Sequence, residues 1–326
     1  MSARIDLIDD FLIQAGWGRA QRLPMAGDLS SRKYHRLRNQ DGNTAVLMDA
    51  PPDLDSSTPA FVEMTNWLRS SSLSAPRIMA ADVENGLLLL EDLGERVVSD
   101  VIAHEPDIRR NIYEITLDLL VLIRSRENAA LSCPDAKTLV DMTTLADEHY
   151  PGIETARLSG FRQVLETVLK DLLGDGKTVS LRDFHTDNLV WLPERPGLAR
   201  LGLLDYQDAF LTHPAYDLVS LLSDARSDIE PEFRSDMITL YTDRTGDDPD
   251  RFGLAFAALS AQRNMRILGI FARAARKLGR TEHLGRLPRV YGYLKEAMGH
   301  PVFNDVSEDV LAAIPAPTAR MIESFS

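Results

Sequence analysis

The apolar positions of this chain shift from mostly short strand-like runs to mostly long helical spacing near residue 100, and that shift limits the possible folds more than any other feature. Up to about residue 90 they fall in short runs broken by turn residues. Tyr34 to Arg38 and Thr44 to Met48 flank Asn39-Gln40-Asp41-Gly42-Asn43, whose Asp-Gly pair supplies the positive φ angles of a tight hairpin turn. Pro51-Pro52 ends the second run, and Thr58-Pro59 opens a helix reaching about Ser70. Strands follow around Ile78 and over Leu87 to Glu91, turning at Glu84-Asn85-Gly86. A helix with Ile5, Ile8, Phe11, Leu12 and Ala15 on one face and Gly16 at its stop precedes them. Beyond Asp107 the spacing becomes helical: Ile108, Ile112, Ile115, Leu119 and Leu122 share one face, then Phe161, Val164, Leu165, Val168, Leu169 and Leu172 another.

The fold class is therefore α+β, with an antiparallel sheet in the first part and mostly helices in the second. At 326 residues the chain is too long for one small core and suits two lobes, placed at 1–94 and 95–326. Three short strands interrupt the helical part, at Val179 to Leu181, Leu189 to Leu192 and Leu201 to Leu204, the last two joined through Pro193-Glu194-Arg195-Pro196-Gly197. After Pro214 helices resume to about Met298.

Charge and cysteine content narrow the function classes. A formal net charge of -13 argues against nucleic acid or an anionic membrane surface as partner. Cys133 is the lone cysteine, so no internal disulfide can form, and a reducing cytoplasm is expected. Asp6, Asp9 and Asp10 are unlike the start of a secretory signal, and the longest apolar stretches fall well short of the ~20 residues a spanning helix needs.

The chemistry is concentrated at the ends of the three short strands. Asp183-Phe184-His185-Thr186-Asp187-Asn188 follows the first, and Leu203-Leu204-Asp205-Tyr206-Gln207-Asp208 closes the third. In phosphoryl transfer the protein positions reactants and neutralises charge: a carboxylate orients the acceptor hydroxyl, and Mg²⁺ grips the phosphates. Asp183 is the candidate for that carboxylate, and Asn188 and Asp205 offer the oxygen ligands Mg²⁺ prefers. Taken singly, each could be a turn residue or a helix cap. Together, between a strand and a hairpin, they form a much less accidental pattern.

This arrangement resembles the aminoglycoside phosphotransferase and choline kinase branch of the protein-kinase-like fold, over nearly the whole chain. The family's signature His-Gly-Asp-x-His-x-x-Asn reads here Leu181-Arg182-Asp183-Phe184-His185-Thr186-Asp187-Asn188, so the Asp and Asn match while the first His and the Gly do not. The resemblance implies a bilobal molecule, with Asp205 as the metal-binding Asp and Leu87 to Gly94 as the hinge. Adenine would then meet the backbone around Glu91, Asp92 and Leu93. Pro214-Ala215-Tyr216-Asp217-Leu218 resembles the family's following structural motif. Met25 to Lys33 takes the phosphate-loop position, where Ser30, Ser31, Arg32 and Lys33 would contact nucleotide, although an ordinary polar loop has the same composition. The strand Lys expected of such folds falls at Met48. Arg32 or Lys33 could supply the cation instead, with Glu63 either its helix carboxylate or a solvent-facing residue. His185 is expected to organise the loop through hydrogen bonds.

A narrower likeness runs through Gly27-Asp28, Val46 to Pro52, Gln262-Arg263-Asn264, Leu268 to Phe271 and Leu287 to Val290. These segments resemble the bacterial cell-wall-recycling kinases that phosphorylate the anomeric hydroxyl of N-acetylmuramate and N-acetylglucosamine. That likeness implies an ATP- and Mg²⁺-dependent kinase acting on a small-molecule sugar or alcohol, with no obligatory protein partner evident. The acceptor is expected to meet Arg182, Asp208 and Arg263, and Arg263 and Arg266 could reach an acidic group on it or remain solvated helix charges. The alternatives are a kinase of aminoglycosides, choline-like amines or other small alcohols, and a nucleotide-binding pseudokinase, suggested by Met48. Few residues separate Asp205 from Pro214, which leaves no room for a peptide-docking activation segment.

Overall fold

A computed structural model of the chain describes residues 2–25, 31–128 and 130–325. In chain order its main elements are α1 (Ser2–Gln14), β1 (Gln21–Pro24), β2 (Lys33–Arg38), β3 (Thr44–Asp49), α2 (Thr58–Ser70), β4 (Ile78–Asp82), β5 (Leu87–Glu91), α3 (Val98–His104) and α4 (Arg109–Arg124). Then come α5 (Ala136–Asp141), α6 (Thr144–His149), α7 (Ser159–Asp175), β6 (Thr178–Ser180), β7 (Leu189–Trp191), β8 (Leu201–Leu203), β9 (Phe210–Thr212) and α8 (Ala215–Leu222). The chain ends in α9 (Pro231–Thr245), α10 (Pro249–Leu278), α11 (Leu287–Ala297), α12 (Ser307–Ala313) and α13 (Ala319–Glu323).

Residue contacts group these elements into two compact units, Met1–Pro106 with Asp187–Asp208, and Asp107–Thr186 with Ala209–Ser326. The sequence suggests a single cut at 94/95, whereas this partition is interleaved. The reason lies in the β7–β8 hairpin, whose backbone bonds to the first unit: Leu203 N–H donates to the Ser74 carbonyl at 3.0 Å and Trp191 N–H to that of Arg96 at 2.7 Å. Gly202 makes the docking possible, because a Cβ there would lie 2.8 Å from Leu93 Cδ1.

Within the first unit, five strands form an antiparallel sheet in the order β1-β2-β3-β5-β4. Strand alternation sends Leu37, Ala45, Leu47, Leu87 and Leu89 into one core with Ile8, Phe11 and Leu12 of α1. The intervening Met48, Leu88 and Leu90 are buried too, so β5 is apolar on both faces. Each such leucine contributes roughly 1.5–3 kcal/mol when removed from water. The Asn39–Asn43 turn matches the expected hairpin, with Gly42 at φ +82° and Asn39 Oδ1 accepting from the N–H groups of Asp41 and Asn43. Strand β1 was not foreseen: it is a short, mostly exposed edge strand ending in Pro24.

The second unit is built around α10, whose 30 residues run about 45 Å. Gly269 lets α6 approach α10 at close range, since a Cβ there would sit 2.4 Å from the Leu145 carbonyl carbon. Strand β6 pairs with β9 through Thr178–Thr212, Val179–Leu211 and Ser180–Phe210. Three residues paired over such a sequence distance leave no local signal, so β9 was not foreseen either. Among the described residues no helix is long and apolar enough to cross a membrane.

Candidate active site

In the second unit, β6 delivers the chain to Leu181-Arg182-Asp183, and Asp217, in the first turn of α8, fixes it there. The Asp217 carboxylate is 3% exposed and accepts from Ser180 Oγ at 2.6 Å, Leu181 N–H at 2.7 Å and Arg182 N–H at 3.1 Å. The Arg182 carbonyl accepts from Ser220 Oγ at 2.9 Å and Arg263 Nη1 at 3.1 Å. Held from both sides, Arg182 adopts φ +69°, a left-handed conformation that costs a non-glycine residue on the order of 1–3 kcal/mol. Hydrogen bonds to a charged group contribute about 1.5–3 kcal/mol each, enough to maintain that strain.

Asp183 follows this clamp and keeps 36% of its side chain exposed, with Arg263 Nη2 3.7 Å from Oδ1. Burial raises its pKa, but Arg263, Arg266, His185 and Arg182 outweigh that and hold the carboxyl below the ordinary aspartate range. Asp183 is thus an ionised group next to a rigid backbone. His185 is 4% exposed, and burial with the neighbouring Arg226 pulls it down to about 4 despite Asp224 and Asp183. It is neutral at physiological pH. Thr186 Oγ1 donates to Asp224 Oδ2 at 2.8 Å, which anchors the far side of the loop in the same unit.

In the first unit, Asn188 and Asp205 leave the same end of the β7–β8 hairpin. Leu189 and Leu203 are a register pair, and one step outward Leu204 N–H donates to the Asn188 carbonyl at 3.0 Å. Asp205 has φ +57°. Its Oδ1 accepts from Arg32 Nη2 at 3.0 Å and Gln207 Nε2 at 3.1 Å, and the same Gln207 nitrogen reaches Asp208 Oδ2 at 3.0 Å. Tyr206 ties this turn to α2 by stacking on Phe61, with ring centroids 5.1 Å apart, and by a 2.7 Å hydrogen bond with Thr65 Oγ1. A carboxylate and a carboxamide at one hairpin end form an oxygen-only donor set, which fits Mg²⁺ with waters and phosphates completing its shell.

The expected nucleotide contacts are placed unevenly. Ser30 lies outside the described residues. Ser31 is exposed, with its Oγ donating to the Leu54 carbonyl at 3.2 Å, and Lys33 opens β2 on the surface. Arg32 is 7% exposed between Asp205 and Asp55, whose Oδ2 lies 3.4 Å from Arg32 Nε. Met48, at the strand position where a Lys was expected, is fully buried, and Glu63 is on the exposed face of α2. Along the hinge, Glu91 accepts from Arg195 Nη2 at 2.7 Å, Asp92 pairs with Arg36 at 2.8 Å, and Leu93 is buried beside Gly202.

Asp55, Gln207 and Asp224 escaped sequence reasoning. Asp55 and Asp224 act on Arg32 and Thr186, partners distant in sequence, while Gln207 lies within the Asp205 segment and bonds its neighbours Asp205 and Asp208. Asp217 was visible only as part of the segment after Pro214.

Comparison with known proteins gives this geometry a context. Residues 22–255 match the sequence model of the phosphotransferase enzyme family. The N-acetylmuramate/N-acetylglucosamine kinase of Caulobacter vibrioides is 30% identical, across 95% of this chain and 96% of its own. Among solved structures, the choline kinase LicA of Streptococcus pneumoniae superposes with a TM-score of 0.60 at 13% identity, covering 98% of both chains. The amicoumacin kinase hAmiN, in complex with AMP-PNP, Ca²⁺ and Ami, gives 0.63 at 15% identity, covering 93% of this chain and 96% of that one. At these identities the two structures speak to the fold.

Proposed function

This chain belongs to the phosphotransferase enzyme family, and from that premise we propose that it transfers the γ-phosphoryl group of ATP to the anomeric hydroxyl of N-acetylmuramate or N-acetylglucosamine. The observation that carries the reading is Asp183, an ionised, accessible carboxylate set beside a backbone clamped by Asp217, Ser220 and Arg263. A group so placed can orient a sugar hydroxyl for in-line attack, which is most of what a loose phosphoryl-transfer transition state requires of a protein. The hydroxyl oxygen bonds to phosphorus, the bond to the ADP oxygen breaks, and the hydroxyl proton leaves on the Asp183 side.

Asn188 and Asp205 would hold Mg²⁺, whose charge offsets that of the phosphates when bound. Arg32, next to Asp205, supplies the cation that Met48 does not. The acceptor assignment draws support from the Caulobacter vibrioides relative and from charge: Arg182, Arg263 and Arg266 all act on Asp183. A cationic aminoglycoside or choline-like amine would meet those guanidiniums at a cost.

A coupled ADP-release assay over amino sugars, aminoglycosides, choline and other alcohols tests the reading, with the product checked for an acid-labile anomeric phosphate. Turnover confined to cationic acceptors would overturn the sugar assignment. Nucleotide binding without transfer to any acceptor would overturn the enzymatic one.

A further inference from the structure

We propose that Arg266 is the receptor for the acceptor's carboxylate, binding the acid group of N-acetylmuramate and setting the preference between that sugar and the neutral N-acetylglucosamine. The proposal rests on the acceptor reading above and assigns a residue to the discrimination within it.

Arg263 and Arg266 stand one helical turn apart on α10, so they share a face, with a rise of about 4.5 Å between them. Their situations differ. Arg263 is 4% exposed and already committed: Nη1 donates to the Arg182 carbonyl, Nη2 lies 3.7 Å from Asp183, and the guanidinium stands 5.8 Å over the Tyr216 ring. It holds the catalytic loop in place. Arg266 is half-buried and near enough to Asp183 to act on its charge, yet among the described residues it forms no hydrogen bond or ion pair.

Several other shielded arginines have a carboxylate: Arg4 has Asp49, Arg162 has Asp147, Arg226 has Asp224 and Arg234 has Glu296. Burial lowers the pKa of Arg266, and Tyr216 and Asp183 offset this only in part. A partly desolvated guanidinium that is hydrogen-bonded to no carboxylate gains from an incoming one, which it can grip by two parallel N–H donors. Arg182, Arg263 and Arg266 all act on Asp183, a local concentration of positive charge in a chain whose net charge is -13.

The chemistry of the acceptor matches this layout. In N-acetylmuramate the lactyl carboxylate is attached at C3, two ring positions from the anomeric oxygen that Asp183 orients. A guanidinium next to Asp183, one turn beyond the arginine that fixes the loop, suits such a separation. N-acetylglucosamine has a neutral hydroxyl at C3 and gains nothing there.

The test compares wild type, Arg266→Met and Arg266→Lys on both sugars, and wild type on the methyl ester of N-acetylmuramate. Arg266→Met should raise KM for N-acetylmuramate on the order of 10- to 100-fold, as expected for a lost charge-assisted pair. Because Arg266 also acts on the charge of Asp183, kcat for both sugars falls together to whatever extent that matters, whereas the rise in KM should be at least about tenfold smaller for N-acetylglucosamine than for N-acetylmuramate. Arg266→Lys should recover part of the loss, since it keeps the charge without the planar fork. The methyl ester should behave on wild type as the acid does on Arg266→Met, a readout that leaves the protein unaltered. An unchanged preference in Arg266→Met, an equal rise in KM on both sugars, or an ester as good as the acid would each overturn the role of Arg266 while leaving the acceptor reading intact. Wild type inert on both sugars would sink that reading and this inference with it.

Discussion

Arg32 Nη2 lies 3.0 Å from Asp205 Oδ1, so a cation from the loop before β2 bonds the carboxylate expected to bind metal. Asp55 holds the other flank of the guanidinium. The strand position where this fold expects a lysine is a buried methionine, and on the proposed reading Arg32 supplies the positive charge for the phosphates instead. Arg32→Met should therefore raise KM for ATP by roughly 10- to 100-fold, the worth of one charge-assisted contact to phosphate. Titration with ATP at saturating acceptor measures it. An unaltered KM would show that the phosphates are held elsewhere.

Asp183→Asn keeps the shape and removes the charge proposed to orient the hydroxyl, and kcat should fall about 10²- to 10⁴-fold with nucleotide affinity retained. The pH profile adds a second check. The active form of Asp183 is the carboxylate, present above its pKa, and neighbouring arginines lower that pKa, so its acid limb moves below the ~3.9 of an ordinary aspartate. His185, drawn down to about 4, adds no limb near neutrality. Between pH 5 and 7 the groups left to titrate are Asp217, pushed up to about 6, and the γ-phosphate of ATP. The kcat of Asp217→Asn at saturating Mg²⁺ and ATP should therefore be flat there, and a limb centred near 6.5 in that variant would contradict both assignments.

How much of this was legible follows the range of each interaction. The Asp41-Gly42 turn, the apolar run Leu87 to Leu90 and the helical spacing after Asp107 are local patterns, and the structure places a hairpin, a buried strand and α4 there. Strands β1 and β9 are three or four residues long and exist through pairing, which single-residue preferences do not encode. At the site, Asp183, Asn188 and Asp205 announce themselves as a motif. Their supports do not: Asp217 lies 34 residues beyond Asp183, and Arg32 lies 173 residues from Asp205. Arg263, expected as an acceptor contact, also supports the loop by its bond to the Arg182 carbonyl, a role no local pattern announced.

Asp217 links site geometry to stability. Burial pushes its carboxyl up to about 6, against the Ser180, Leu181 and Arg182 donors and Arg263. A folded-state pKa above the unfolded value contributes stability that is full below about 3.8 and lost as pH rises through 6. Asp217→Asn cannot titrate, so its stability relative to wild type should improve by on the order of 2–3 kcal/mol between pH 4 and 7. It should be the less stable protein at pH 4, and kcat should drop at every pH because Arg182 loses its anchor. Urea melts at the two pH values give the comparison, and a pH-independent difference would mean that Asp217 does not titrate in this range.

Gly269 carries the last prediction, because it joins packing to the proposed role of Arg266. A methyl group there would come within 2.4 Å of the Leu145 carbonyl carbon and 2.5 Å of the Ala146 nitrogen, and these are backbone atoms of α6 that cannot rotate away. Gly269→Ala should cost about 1–3 kcal/mol of stability as α6 and α10 separate, more than offsetting any gain from better helix propensity. Gly269 is one turn beyond Arg266 on α10, so the shift also displaces that guanidinium from Asp183. The variant should show a lower melting temperature and, where it remains folded, a KM for N-acetylmuramate raised more than that for ATP. Gly253→Ala, on the same helix with open space around its Cβ, is the control and should be neutral or slightly stabilising.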